Sequence, residues 1–124
     1  MKIGFDYWQC ISHWWELGEI ADAMANRGHT IHVISAIGKQ RIGTIAADVH
    51  KEWPKFPTER IHEVLFDHPR ESPELKLAKC KELGITMFFD DRDDVCALLN
   101  ANGILALRVT RKDGSKYDLR SERK

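Results

Sequence analysis

Short apolar runs that alternate with stretches of helical spacing predict an α/β fold, a three-layer α/β/α sandwich around a central, mainly parallel five-stranded sheet of Rossmannoid type. The chain has 124 residues, 43% of them hydrophobic, which is enough for one core and too little for a two-domain enzyme. The sequence divides into a single domain over residues 1–110 and a polar, basic tail over 111–124.

The strands are expected at Lys2–Phe5, Thr30–Ile34, Ile61–Phe66, Ile85–Phe89 and Ile104–Val109. Between the first two, Trp14, Leu17, Ile20, Ala21 and Met24 recur at three- and four-residue steps, and Gly28 supplies a stop, so one amphipathic helix is predicted there. Residues Ile42–Trp53 are read as the next helix, and Trp53-Pro54-Lys55-Phe56-Pro57 as a loop that cannot continue it. Ser72-Pro73-Glu74 offers an N-cap residue, a proline in the first turn and an acidic side chain, which starts a helix over 73–83 ended by Gly84. A last helix is predicted over Asp93–Asn102, before Gly103. Beyond Val109 the residues Arg-Lys-Asp-Gly-Ser-Lys have no periodicity and are expected to fray.

Charge excludes some partners. Lys plus Arg equals Asp plus Glu at 19 each, so no global field draws the chain to nucleic acid or an anionic membrane. Three widely spaced cysteines, Cys10, Cys80 and Cys96, form neither a C-x-x-C pair nor a disulfide framework, and a reducing cytoplasm is expected. No run approaches the length of a membrane span, and an acidic residue at position 6 comes too early for a secretory leader.

In open α/β sheets, ligands bind beyond the carboxyl ends of the strands near the point where strand order reverses. Polar residues here gather at predicted strand ends: Asp6 after the first, Ser35 after the second, and Asp90-Asp91 after the fourth, with Lys76 near the start of the helix that feeds the fourth. Taken singly, each has a bland reading, because strand ends are often polar. Three carboxylates brought together need a cation to relieve their repulsion, and hard oxygen ligands suit Mg²⁺. A receiver domain of two-component signalling also collects carboxylates at strand ends, but its acidic pair ends the first strand and its lysine follows the last, unlike the order here. No glycine-rich phosphate loop is present. The histidines His29, His32, His62 and His68 lack a metal-ligand spacing.

Asp, then Ser, then Lys, then Asp-Asp is an order in which the chain resembles the haloacid dehalogenase-like superfamily over most of residues 1–109. "KIGFDYWQCI" is similar to the first motif of that family, "IHVISA" to the second, and "KLAKCKELGITMFFDDRDDVCALLNANGILALRV" to the third, the fourth and the strand beyond. The "DDR" ending is similar to deoxyribonucleotidases and to the phosphatase half of polynucleotide kinase-phosphatases. The resemblance implies a phosphohydrolase or phosphotransferase in which Asp6 is the nucleophile and Ser35 and Lys76 hold the phosphoryl oxygens. It implies Mg²⁺ between Asp6, the main-chain carbonyl of Trp8 and Asp90-Asp91; alignment favours Asp91 as the direct ligand. Lys79 competes with Lys76 for the lysine position.

The departures from the family matter too. Its phosphatases carry a general acid two residues after the nucleophile, where this chain has Trp8; losing such a catalyst typically costs about 10²–10⁴ in rate. Gln9 and Cys10 replace the usual glycine and threonine. The alternative reading is therefore a catalytically degenerate phosphate- and cation-binding module, with a dehalogenase third, since that chemistry needs a cap. Without a cap the site suits a phosphorylated nucleotide, a nucleic-acid end or another bulky substrate, or closure by a second subunit in a homo-oligomer. Trp8, Trp14 and Trp15 are candidate stacking platforms, although core packing is the commoner role of such a cluster. Arg70 and Arg92 are candidate substrate contacts, with Asp94 the competing partner for Arg92.

Overall fold

The computed structural model describes residues 1–115 and is a doubly wound α/β sandwich. Its strands are β1 (Lys2–Phe5), β2 (Thr30–Gly38), β3 (Ile61–Phe66), β4 (Met87–Asp90) and β5 (Leu105–Arg108), all parallel in the order β3-β2-β1-β4-β5. The helices α1 (Trp15–Asn26), α2 (Thr44–Glu52), α3 (Ser72–Leu83) and α4 (Asp93–Ala101) alternate with them.

Strand order reverses at β1, and right-handed crossovers then place the helices on opposite faces. Leu17 and Ala21 of α1 and Ile45 and Val49 of α2 pack with Ile3, Phe5, Val33 and Phe89 on one face. On the other, Leu77 and Cys80 of α3 and Val95 and Leu99 of α4 pack with Ile34, Val64 and Phe88. The alternation is strand periodicity at work, because Phe88 and Phe89 are neighbours in sequence yet belong to different cores. Phe89 stacks on Phe5 with ring centroids 4.6 Å apart. Gly4 lies opposite Phe88, where a Cβ would come within 3.3 Å of that ring. A side chain there would require the Phe88 ring to give way by a few tenths of an ångström.

Two predicted boundaries are corrected. β2 does not stop at Ile34: it continues to Gly38 because its second edge pairs with β3 from Val33↔Ile61 to Gly38↔Phe66, while β1 pairs only as far as Phe5↔Val33. β4 begins at Met87 because Ile85 donates its N–H back to Cys80 in the left-handed close of α3, with Gly84 at φ 75°. The carboxyl edge is thus stepped, with β2 and β3 standing above β1 as a wall.

The carboxylate of Glu63 on β3 accepts the N–H groups of Gly43 (2.7 Å), Ile45 (2.9 Å) and Ala46 (3.3 Å), and so caps α2 from a neighbouring element. The segment after Val109 is a further correction. Rather than fraying, residues 110–112 are pinned: Thr110 accepts from Trp14 Nε1 (2.9 Å), and Lys112 N–H donates to Gln9 Oε1 (3.0 Å). Lys112 Nζ also lies 4.1 Å from the Trp14 ring centroid. Residues 116–124 of the predicted tail lie outside the described residues. Among the described residues, no helix is long and apolar enough to cross a membrane, and Cys10, Cys80 and Cys96 are free and buried.

Candidate metal and anion site

Asp6 leaves β1 and Asp90 closes β4, the two strands that flank the reversal of strand order. Asp91 follows, and the three buried carboxylates offer oxygen atoms that all lie within 4.8 Å of one another. Lys76, on the buried face of α3, extends between them: its Nζ is 3.2 Å from Asp6 Oδ1 and donates to Asp90 Oδ2 at 2.5 Å. Ser35 Oγ donates to Asp6 Oδ1 at 3.1 Å. Five predicted residues, three within β2, α3 and β4 and two directly after β1 and β4, therefore meet at one point.

Burial pushes the Asp6 carboxyl up to about 6, Lys76 opposes the rise, and Asp91 adds to it. Asp90 is likewise pushed up to about 6 by burial, again against Lys76. Burial and Asp90 together raise Asp91. Burial would lower Lys76, but the adjoining Asp6 and Asp90 carboxylates outweigh it and keep the ammonium charged. Three carboxyl groups face the Lys76 ammonium and the Arg111 guanidinium, whose Nε is 3.4 Å from Asp91 Oδ2. The excess is negative, so the donor set fits a hard divalent cation.

The two adjacent aspartates have different surroundings. Asp90 is sealed, with Oδ2 on Lys76 and Oδ1 accepting the Arg92 N–H at 3.0 Å. Asp91 lines an open cavity of 340 Å³, as do Asp6, Ser35 and Lys76. Asp91 is thus the member of the pair that faces the cavity.

The stepped sheet edge provides one wall of this cavity through Ala36, Ile37, Gly38 and Phe66. Trp8 stands at its rim, 58% exposed, with its ring edge-on to His13 at 4.7 Å. Trp14 instead packs on the core, and Trp15 is exposed on α1 without lining the cavity. Arg92 reaches the cavity, but its guanidinium is bound to Asp94 (2.8 and 3.1 Å) and to the Pro69 carbonyl (3.1 Å). Arg70 is corrected: it is exposed, lies outside the cavity lining, and its N–H donates to His68 Nδ1 in the turn Pro69–Glu71. Lys79 pairs with Glu82 on the surface, which leaves Lys76 as the lysine of the site.

Sequence reading missed Arg41, Ser72 and Arg111, all of which line the cavity. Ser72 had a signal, since it precedes Lys76 by one helical turn and shares its face. Arg111 had none, because its placement depends on the pinning of residues 110–112 by Gln9 and Trp14. Gln9 itself holds φ 58°, a left-handed conformation that glycine adopts most readily.

The fold and site together define a class: a Rossmann-like α/β protein with a buried three-aspartate cluster able to hold a metal ion at its strand-order switch. No protein-family model matches the chain, and no curated protein matches it significantly.

Proposed function

We propose that the protein is a cap-free, Mg²⁺-dependent phosphohydrolase or phosphotransferase of the haloacid dehalogenase-like superfamily. Its substrate would be a nucleotide, a nucleic-acid end or another bulky phosphorylated molecule in the cytoplasm. The observation that supports this reading is the meeting of Asp6, Ser35, Lys76 and Asp91 at the floor of one open cavity, with Asp90 sealed directly behind them. Mg²⁺, held by Asp6, Asp91 and the Trp8 carbonyl, would offset charge between the carboxylates and the phosphoryl group. Asp6 would attack phosphorus, forming a carboxylate–phosphorus bond as the bond to the leaving oxygen breaks. Ser35 and Lys76 would steady the transferring oxygens. Water or an acceptor hydroxyl then takes the phosphoryl group and returns Asp6.

The test is a screen of phosphorylated compounds with and without Mg²⁺, on the wild type and on Asp6→Asn. Turnover that needs both Mg²⁺ and Asp6 is the expected result. A second reading, a degenerate module that binds phosphate and cation without turnover, is favoured by Trp8, whose indole stands where the family carries its proton donor. Mg²⁺-dependent phosphate binding with no turnover of any compound would select it. Absence of both turnover and phosphate binding would refute the two readings together.

A further inference from the structure

Among the described residues, two buried side-chain polar atoms have no hydrogen-bond partner, Ser72 Oγ and Arg111 Nε, and both residues line the same cavity. Buried donors are nearly always hydrogen-bonded, so two in one cavity without such a bond point to an acceptor that arrives from outside. Ser72 has none of its surface exposed. Its own N–H is bonded to the Pro69 carbonyl, and Pro73 after it has no N–H, so the hydroxyl is the donor these two positions keep for the cavity. It belongs to the first turn of α3, where the helix dipole is positive, one turn before Lys76 on the same face.

Arg111 comes from the opposite end of the chain. Residues 110–112 hold it in place, and Asp91 Oδ2 touches it through an ion pair of 3.4 Å rather than a hydrogen bond. The other donors at the floor are already engaged, Ser35 with Asp6 and Lys76 with Asp90 and Asp6. A tetrahedral phosphoryl group presents several oxygens and needs more donors than those two can release.

We infer that Ser72 and Arg111 form a second oxyanion grip for the phosphoryl oxygens of the substrate, built from two segments outside the strand-end residues. The inference rests on the phosphate-site reading above and extends it. A turn of the Ser72 side chain about its one rotatable bond brings the hydroxyl to the ligand, and the Arg111 guanidinium exchanges a long contact with Asp91 for charge-assisted bonds to phosphate.

The test titrates inorganic phosphate in the presence of Mg²⁺ into the full chain, by calorimetry and by thermal shift. Ser72→Ala is expected to weaken phosphate binding about tenfold while leaving the melting temperature of the ligand-free protein unchanged or higher, since an unsatisfied buried hydroxyl has been removed. Arg111→Met is expected to weaken binding by at least as much, with Arg111→Lys intermediate because the charge returns without the fork. A purely structural Ser72 would give the opposite pattern: lower ligand-free stability, unchanged affinity. Ser72→Ala and Arg111→Lys both binding like wild type, while Ser35→Ala abolishes binding, would overturn the grip alone. A wild type that binds no phosphate with Mg²⁺ would overturn the grip together with the function proposed above.

Discussion

Lys76 Nζ lies 2.5 Å from Asp90 Oδ2, with neither side chain more than 2% exposed. Removing one member of such a pair leaves the other charge buried without a partner, which typically costs about 3–5 kcal/mol. Lys76→Met should therefore lose roughly 3 kcal/mol at pH 7, at the low end of that range because the orphaned carboxyls can take up a proton. Urea unfolding measures it; a loss below about 1 kcal/mol would mean that the ammonium does not hold the two strand ends together.

If the folded carboxylates hold Mg²⁺ as proposed and the unfolded chain does so poorly, Mg²⁺ should raise the melting temperature; at 100 times Kd the gain is about 2.7 kcal/mol. Because Asp91 faces the cavity and Asp90 does not, Asp91→Asn alone should remove that response and raise the stability of the metal-free protein. Asp90→Asn should instead destabilise it, through Lys76. An undiminished Mg²⁺ response in Asp91→Asn would place the ion elsewhere.

At Trp8 the indole is largely in solvent, so Trp8→Asp should cost under about 1 kcal/mol in folding, far less than the loss of a buried tryptophan. If the reaction lacks a proton donor, wild-type activity should favour aryl phosphates and anhydrides over alkyl phosphates. The new carboxyl should raise alkyl-phosphate turnover most. Equal wild-type rates on both classes, with no gain in the variant, would remove Trp8 from the acid position.

His32 Nδ1 on β2 and His62 Nε2 on β3 lie 3.0 Å apart. Burial, with help from His62, lowers the His32 pKa to about 4, against 6.5 for a free imidazole. The unfolded chain then binds the proton first, so His32 favours folding above about pH 6.5 and loses that contribution progressively as pH falls toward 4. Relative to His32→Asn, the wild type should lose about 2 kcal/mol across that window, a figure reduced from the full shift because the pair is not fully dry. Parallel pH–stability curves for the two proteins would disprove the coupling.

Glu63→Ala should cost about 1–2 kcal/mol by removing the acceptor for three N–H groups at the start of α2. Hydrogen exchange should then accelerate at Gly43, Ile45 and Ala46 before it does elsewhere. Unchanged exchange at those amides would show that another group caps the helix.

The sequence made β1 and β3 legible to the residue, because each is a short apolar run bounded by turn or polar residues. β2 was read short at Ile34: Ser35-Ala36 breaks the apolar pattern, and only the ladder to β3 carries the strand to Gly38. The floor of the site was legible because each of its residues follows or precedes a recognisable element. The rim was not. Lys112 and Gln9 meet across most of the chain's length and so place Arg111, Arg70 turns outward with its own 3-10 turn, and no local pattern encodes either arrangement.

Because β1 is the central strand, its two edges are filled at very different times as the chain leaves the ribosome. β2 can pair with it early, but the other edge stays open until Met87–Asp90 has been made. Arg111 follows later still. A nascent chain therefore can bring Asp6 and Ser35 together only without Asp90, Asp91 or residues 110–112, and the acidic floor comes into being in the last stages of folding rather than growing by degrees. Parallel pairing over such a span is slow to nucleate, so the exposed edge of a half-made β1 is the place where a chaperone, or a second unfinished copy, would first find this protein.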